Sequence, residues 1–178
     1  QIIGKDVPRT DGREKATGSA VYTDDIKLPG MLHGKLLRSP VAHARIAHID
    51  VSKAAALPGV KCVITGEDTP KIKYGNWRLF PVTQDEYPLA IDKVRFIGDE
   101  VAAVAAVDKD IAAEALELIR VDYEELPGVF EIDDSLAKGA PIIHATSPSN
   151  ISIDRKIQYG SIQKGFAEAD YVREDVFT

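Results

Sequence analysis

The sequence predicts an α+β fold, with mixed strands, a few short helices and a C-terminal extension. Three observations predict it. Val101 to Val107 is a continuous run of small and β-branched apolar residues, the pattern of a strand buried on both faces. Next to it, Ile111, Ala115, Leu118 and Ile119 fall on one helical face and Glu114 and Glu117 on another. Short apolar segments are punctuated by turn signals such as Leu28-Pro29-Gly30, Ser39-Pro40 and Pro58-Gly59. The 178 residues suffice for one sizeable domain, or for one domain and an extension.

The elements follow in order. Arg9 to Gly18 lacks apolar periodicity and reads as an extended arm. Leu32 to Arg38 is a strand, ended at Ser39-Pro40 because Pro cannot donate to a ladder. Ala44 to Val51 alternates imperfectly and is a second strand. Ser52 can N-cap a short helix over Lys53 to Ala56, stopped by Pro58-Gly59. Val60 to Thr65 is the next strand, and Gly66 to Pro70 a loop. Residues 71 to 90 have no period but carry Tyr74, Trp77, Phe80 and Tyr87, as a functional or mobile loop does. Lys93 to Ile97 reads as a strand and Gly98-Asp99 as a turn. After Val107, Asp108 or Asp110 can cap the helix from about Ile111 to Ile119, and Val121 opens a short strand to Pro127, giving a strand–helix–strand unit. Beyond Gly139 come an extended Pro141 to His144, a loop at Ser147 to Asn150 and a strand over Ile151 to Tyr159. Gly160-Ser161 then opens a helix through Ala169, and Tyr171 to Thr178 alternates as a last strand. An uncovered edge strand is a liability, so its pairing partners are expected in a longer polypeptide.

Composition excludes several functions. A net charge of −6, with acids and bases interleaved, argues against binding nucleic-acid phosphates. No apolar run approaches the roughly 18 residues of a membrane span, and Gln1 to Asp6 lacks the pattern of a signal peptide. The opening on Gln1 rather than Met leaves a removed signal open. A single cysteine, Cys62, rules out an internal disulfide and any all-cysteine metal or iron–sulfur site. Within the strand Val60 to Ile64 it reads as a small buried hydrophobe, and it fits a reducing compartment.

Each candidate site residue competes with a plainer role. The histidines are His33, His43, His48 and His144. His43 and His48, five apart on an extended segment, point to opposite faces, so surface or loop positions are preferred to a metal site. Asp24-Asp25 and Glu124-Glu125 could form acid–base pairs only if burial split their pKa values, and solvated surface pairs are preferred. Ser39 and His43 lack a glycine-framed nucleophile elbow, and no phosphate-binding glycine loop is present. The residues alone therefore give no catalytic, cofactor-binding or metal-binding residue.

Several phrases together are more specific. Arg9-Thr10-Asp11-Gly12-Arg13-Glu14-Lys15-Ala16-Thr17-Gly18 through Asp25 resembles the opening of large subunits in the xanthine dehydrogenase and aldehyde oxidase family of molybdenum hydroxylases. So do Leu37-Arg38-Ser39-Pro40-Val41-Ala42-His43-Ala44-Arg45-Ile46, Leu57-Pro58-Gly59-Val60, Val94 to Ala105, and Val121-Asp122-Tyr123-Glu124-Glu125-Leu126-Pro127. Their order and spacing agree over nearly the whole chain. Glu86 to Arg95 and Gly165 to Asp170 resemble the 4-hydroxybenzoyl-CoA reductase branch.

The resemblance implies an N-terminal arm at 1–17, an a/b hammerhead domain at 18–130, and at 131–178 a linker and the truncated start of the first molybdopterin-binding domain. It implies molybdopterin with molybdenum in the full subunit, but no cofactor bound by this stretch, whose positions match neither the family's glycine-rich cofactor loop nor its catalytic glutamate. It implies an iron–sulfur subunit with [2Fe–2S] clusters, a FAD subunit, the remaining molybdopterin-binding domains, an oligomer of heterotrimers and a cytoplasmic location. The family's chemistry is hydroxylation with oxygen from water or, in the benzoyl-CoA branch, reductive dehydroxylation, and the cofactor supplies it. On this reading the stretch is an inactive structural and docking domain that helps frame a substrate channel, with Trp77 and Phe80 of the Lys71 to Leu89 loop as docking anchors. The alternatives are a free-standing small-molecule-binding or protein-docking module of the same fold, and a hydrolase using Ser39 and His43. Fold likeness alone does not choose among them.

Overall fold

The computed structural model describes residues 3–75 and 84–177. The chain divides into two units, Gln1–Ile72 with Tyr87–Leu126, and Lys73–Glu86 with Pro127–Thr178. In chain order the first unit runs α1 (Gly12–Thr17), β1 (His33–Arg38), β2 (Ala44–Asp50), α2 (Ser52–Ala56), β3 (Val60–Thr65), β4 (Lys93–Val94), β5 (Glu100–Ala106), α3 (Lys109–Leu118) and β6 (Arg120–Glu125).

These strands form two antiparallel three-stranded sheets, ordered β1-β5-β3 and β4-β2-β6. The apolar run is the centre of the first sheet. Its even-numbered residues Ala102, Val104 and Ala106 are buried, and Ala102 and Val104 pack with Ala54, Ala115 and Ile119 from the helical side. On the other face Val101 packs with Ala44, Ala90 and Val94, while Ala103 and Ala105 are only half-buried. Burial on both faces thus holds at Val101 and relaxes further along. Asp108 caps α3, its carboxylate accepting the Asp110 amide at 2.7 Å and the Ile111 amide at 3.4 Å. Gly66 sits where any Cβ would overlap the Ala90 carbonyl, so the chain passes close only because that residue is glycine.

Several sequence expectations need correction. The strand–helix–strand unit does not close one sheet. β1 and β3 already fill both sides of β5, so β6 pairs with β2 in the other sheet. The expected strand at 93–97 ends at Val94. The Asp99 carboxylate accepts the Arg95 amide at 2.9 Å, and the Asp99 amide donates to the Phe96 carbonyl at 3.2 Å. With Gly98 at φ +98°, these bonds curl 95–99 into a turn that leaves Phe96 and Ile97 exposed. The N-terminal arm contains α1, which no apolar face announces. Lys15 pairs with Asp11 at 2.7 Å, and the Thr17 hydroxyl donates to the Arg13 carbonyl. Ser52 is the first residue of α2 rather than its cap, and the Asp50 carboxylate takes the Ser52 amide at 2.9 Å. Residues 66–68 form a single 3-10 turn, with the Asp68 carboxylate accepting both the Thr65 amide and its hydroxyl. Cys62 is exposed, because β3 is an edge strand and its ladder shifts register between Val60 and Cys62.

The second unit holds α4 (Ile132–Leu136), α5 (Ile162–Ala167) and an isolated antiparallel bridge between Tyr74 and Glu86. Ser161 caps α5 through the Lys164 amide at 3.2 Å. The expected strands at 151–159 and 171–178 are not strands among the described residues. An extended segment becomes a strand only when its amides and carbonyls meet a ladder partner, and no described strand pairs with these.

Candidate functional site

The structure gathers one set of the candidate residues and leaves the others apart. Ser39 is 2% exposed and His43 6% exposed, in the turn between β1 and β2. The Ser39 hydroxyl donates to the Val41 carbonyl at 2.8 Å and accepts the Val41 amide at 3.2 Å. A hydroxyl so committed and covered is a turn clamp rather than a nucleophile, which overturns the hydrolase reading. His43 lies in a loop, one of the two positions expected for it, but is buried there. Its carbonyl accepts the Leu126 amide at 2.9 Å, which draws the turn in beside the end of β6.

This turn is tied to the 95–99 turn. The Ser39 amide donates to the Asp99 carbonyl at 2.8 Å, and the Gly98 amide to the Ser39 carbonyl at 2.9 Å. Arg38 donates to the Gly98 carbonyl at 2.8 Å and pairs with Glu100 at 2.7 Å. Burial pushes the Asp99 carboxyl above its ordinary range, against the pull of the Arg95 amide. Burial likewise raises the Tyr123 phenol. Pattern reading missed Arg38, Asp99 and Glu100 because these bonds join residues about 60 positions apart. These bonds tie the tips of the two turns together.

The remaining candidates stand apart. Asp24, Asp25, Glu124 and Glu125 are exposed, as the solvated reading expects. Glu124 lies 3.6 Å from Arg45. His48 is exposed on β2, and half-buried His33 lines a groove of about 920 Å³ formed by Thr23 to His33 and Val107 to Lys109. His144 lies 3.3 Å from Asp85 in the second unit. Trp77 and Phe80 lie outside the described residues; on either side of them Tyr74 and Glu86 form an antiparallel bridge, with bonds of 2.9 and 3.2 Å.

Among the described residues no group of three His, Cys, Asp or Glu side chains comes together to hold a metal ion. One cysteine cannot ligate a [2Fe–2S] cluster. No [2Fe–2S] cluster is therefore assigned to these residues, and no reaction step. Among the described residues, no helix is long and apolar enough to cross a membrane.

What the molecule does present is uncovered apolar surface. In the first unit Val21, Tyr22, Ile26, Leu28, Leu32 and Leu36 are exposed. In the second, Ile157, Tyr159, Phe166, Tyr171, Val176 and Phe177 are exposed, Tyr159 at 97% and Phe177 at 93%. Large apolar side chains exposed in such number are candidates for an interaction surface.

Comparison with known proteins agrees with this geometry. Residues 17–127 match the family described as aldehyde oxidase and xanthine dehydrogenase, a/b hammerhead domain. The chain is 38% identical over its whole length to the nicotinate dehydrogenase large molybdopterin subunit of Eubacterium barkeri, spanning 40% of that protein. It is 42% identical over 76% of its length to the carbon monoxide dehydrogenase large chain of Hydrogenophaga pseudoflava, spanning 17% of it. Among solved structures, the aldehyde oxidoreductase of Desulfovibrio gigas superposes with a TM-score of 0.79 at 32% identity, over 92% of this chain and 19% of that one.

Proposed function

Because the chain belongs to the aldehyde oxidase and xanthine dehydrogenase family, we propose that it serves as the N-terminal docking domain of the large molybdopterin-binding subunit of a molybdenum-dependent oxidoreductase. The observation that carries the proposal is the exposed apolar tail from Ile151 to Phe177, which has side chains for a buried face but no ladder partner among the described residues. The short span of the chain against its relatives supports the same reading. Within it, residues 1–17 are an arm, 18–130 the hammerhead domain, and 131–178 the linker and first part of a molybdopterin-binding domain. Molybdopterin is held by other parts of the polypeptide, and [2Fe–2S] and FAD partners complete an oligomer of heterotrimers in the cytoplasm. The stretch itself does no chemistry; it packs against the cofactor domains and frames the channel.

The intact mass and molybdenum content of the native polypeptide test this. A mass several times 19.4 kDa with bound molybdenum is expected. A mass near 19.4 kDa selects the second reading, a free-standing binding module, which the groove lined by Ile26, Leu28, Met31 and Leu32 favours. The docking anchors are tested by Trp77→Ser with Phe80→Ser. Assembly should weaken while the first unit stays folded, and normal assembly sinks the anchor assignment. The 4-hydroxybenzoyl-CoA reductase branch is our proposal for the substrate class. Full-length enzyme that turns over nicotinate or xanthine, but not that thioester, overturns it.

A further inference from the structure

Two short limbs, Lys73–Gly75 and Gln84–Glu86, interrupt the first unit. Sequence patterning and the family match both treat this stretch as part of the hammerhead. Its bonds run elsewhere. The limbs are zipped to each other by the two Tyr74–Glu86 backbone bonds. Asp85 reaches His144, Nδ1 to Oδ2 at 3.3 Å, with the His144 and Asp85 side chains 32% and 28% exposed.

His144 sits on a loop built to hold it. Asn150 adopts φ +55°, the left-handed region that asparagine tolerates best after glycine. From there its Nδ2 donates to the Ser135 carbonyl at 3.2 Å and the Pro141 carbonyl at 2.9 Å, while Oδ1 accepts the Ile143 amide at 3.2 Å. The Asn150 amide donates to the Ser147 carbonyl, and the Ser147 amide to the His144 carbonyl, each at 2.9 Å. One side chain thus braces residues 135 to 150.

We infer that the two limbs form a clasp belonging to the fold of the segment from Pro127 onward, seated on the Asn150-braced loop through Asp85 and His144, and that the hammerhead is therefore discontinuous. The inference goes beyond the docking reading and needs no cofactor or reaction. The occupant of the loop is this chain's own limb pair.

Amide hydrogen exchange on the intact polypeptide tests it, with one lesion in each unit. Asn150→Ala should speed exchange at the Tyr74 and Glu86 amides on the order of ten-fold and leave β5 unchanged. Val104→Ala should speed exchange in β5 and leave Tyr74 and Glu86 unchanged. Limb amides that follow Val104→Ala, or that ignore Asn150→Ala, overturn the inference. If Asn150→Ala does not fold, Asp85→Asn decides. It should speed the Ser147 amide roughly two- to five-fold, as loss of a partly exposed polar side-chain contact predicts, and unchanged exchange there overturns the inference.

Discussion

The two units put their apolar residues to opposite ends. In the first, Ala and Val on β5 meet Ala44, Ala54, Ala115 and Val94 and are sealed. In the second, Ile157, Tyr159, Val176 and Phe177 are larger, yet they face solvent. Small residues sealed by long-range ladders make the core of the first unit, even though Val21, Tyr22 and Leu28 stay exposed outside it, while in the second unit large residues without ladders make an open surface. Apolar content alone does not build a core; register partners do.

Four variants break or sharpen that contrast. Gly66→Ala should act most strongly, because the new methyl meets the Ala90 carbonyl rather than a side chain that can swing away. A loss of about 3 kcal/mol is expected in the urea unfolding of the first unit. Asp108→Ala uncaps α3 and should cost about 1 kcal/mol, with faster exchange at the Asp110 and Ile111 amides.

Asp99→Asn turns on the sign of a pKa shift. The folded state raises the Asp99 pKa, so it binds the proton more tightly than the unfolded chain does. That contribution is present below the ordinary carboxylate pKa and is lost as pH rises from there through the raised folded value. The asparagine variant keeps an acceptor for the Arg95 amide. It should stabilise the first unit at neutral pH by under about 1 kcal/mol and remove this part of the pH dependence. An unchanged stability–pH curve contradicts the burial assigned to Asp99. Last, Ile157→Ser with Tyr159→Ser should shift the stability of this stretch by less than about 0.5 kcal/mol. Assembly of the full-length protein should nevertheless suffer, and a large loss of stability in the stretch alone contradicts the exposed tail.

Much of the first unit was legible because its signals are local. The run at 101–107, the cap at Asp108 and the Pro and Gly stops around α2 each act within a few residues. What escaped was non-local. The alternation of Tyr171 to Phe177 says which residues could share a face, but not whether a neighbour exists. Cys62 had a buried-strand composition, and only the sheet order made its strand an edge. His43 was open to a surface or a loop position, and nothing local reveals that Leu126, far along the chain, bonds its carbonyl. For the site, sequence placed the paired carboxylates on solvated surface, where they stand exposed, but did not see the bonds of Arg38 to Gly98 and Glu100 or the brace at Asn150.

The position of Cys62 has a practical use. It is the only thiol in the chain, it stands exposed on an edge strand of the first unit, and it takes no part in the buried clusters. A maleimide dye would therefore attach at one known address without any mutagenesis. Anisotropy of that dye would report how freely the sheet bearing β3 tumbles, before and after a candidate partner is added.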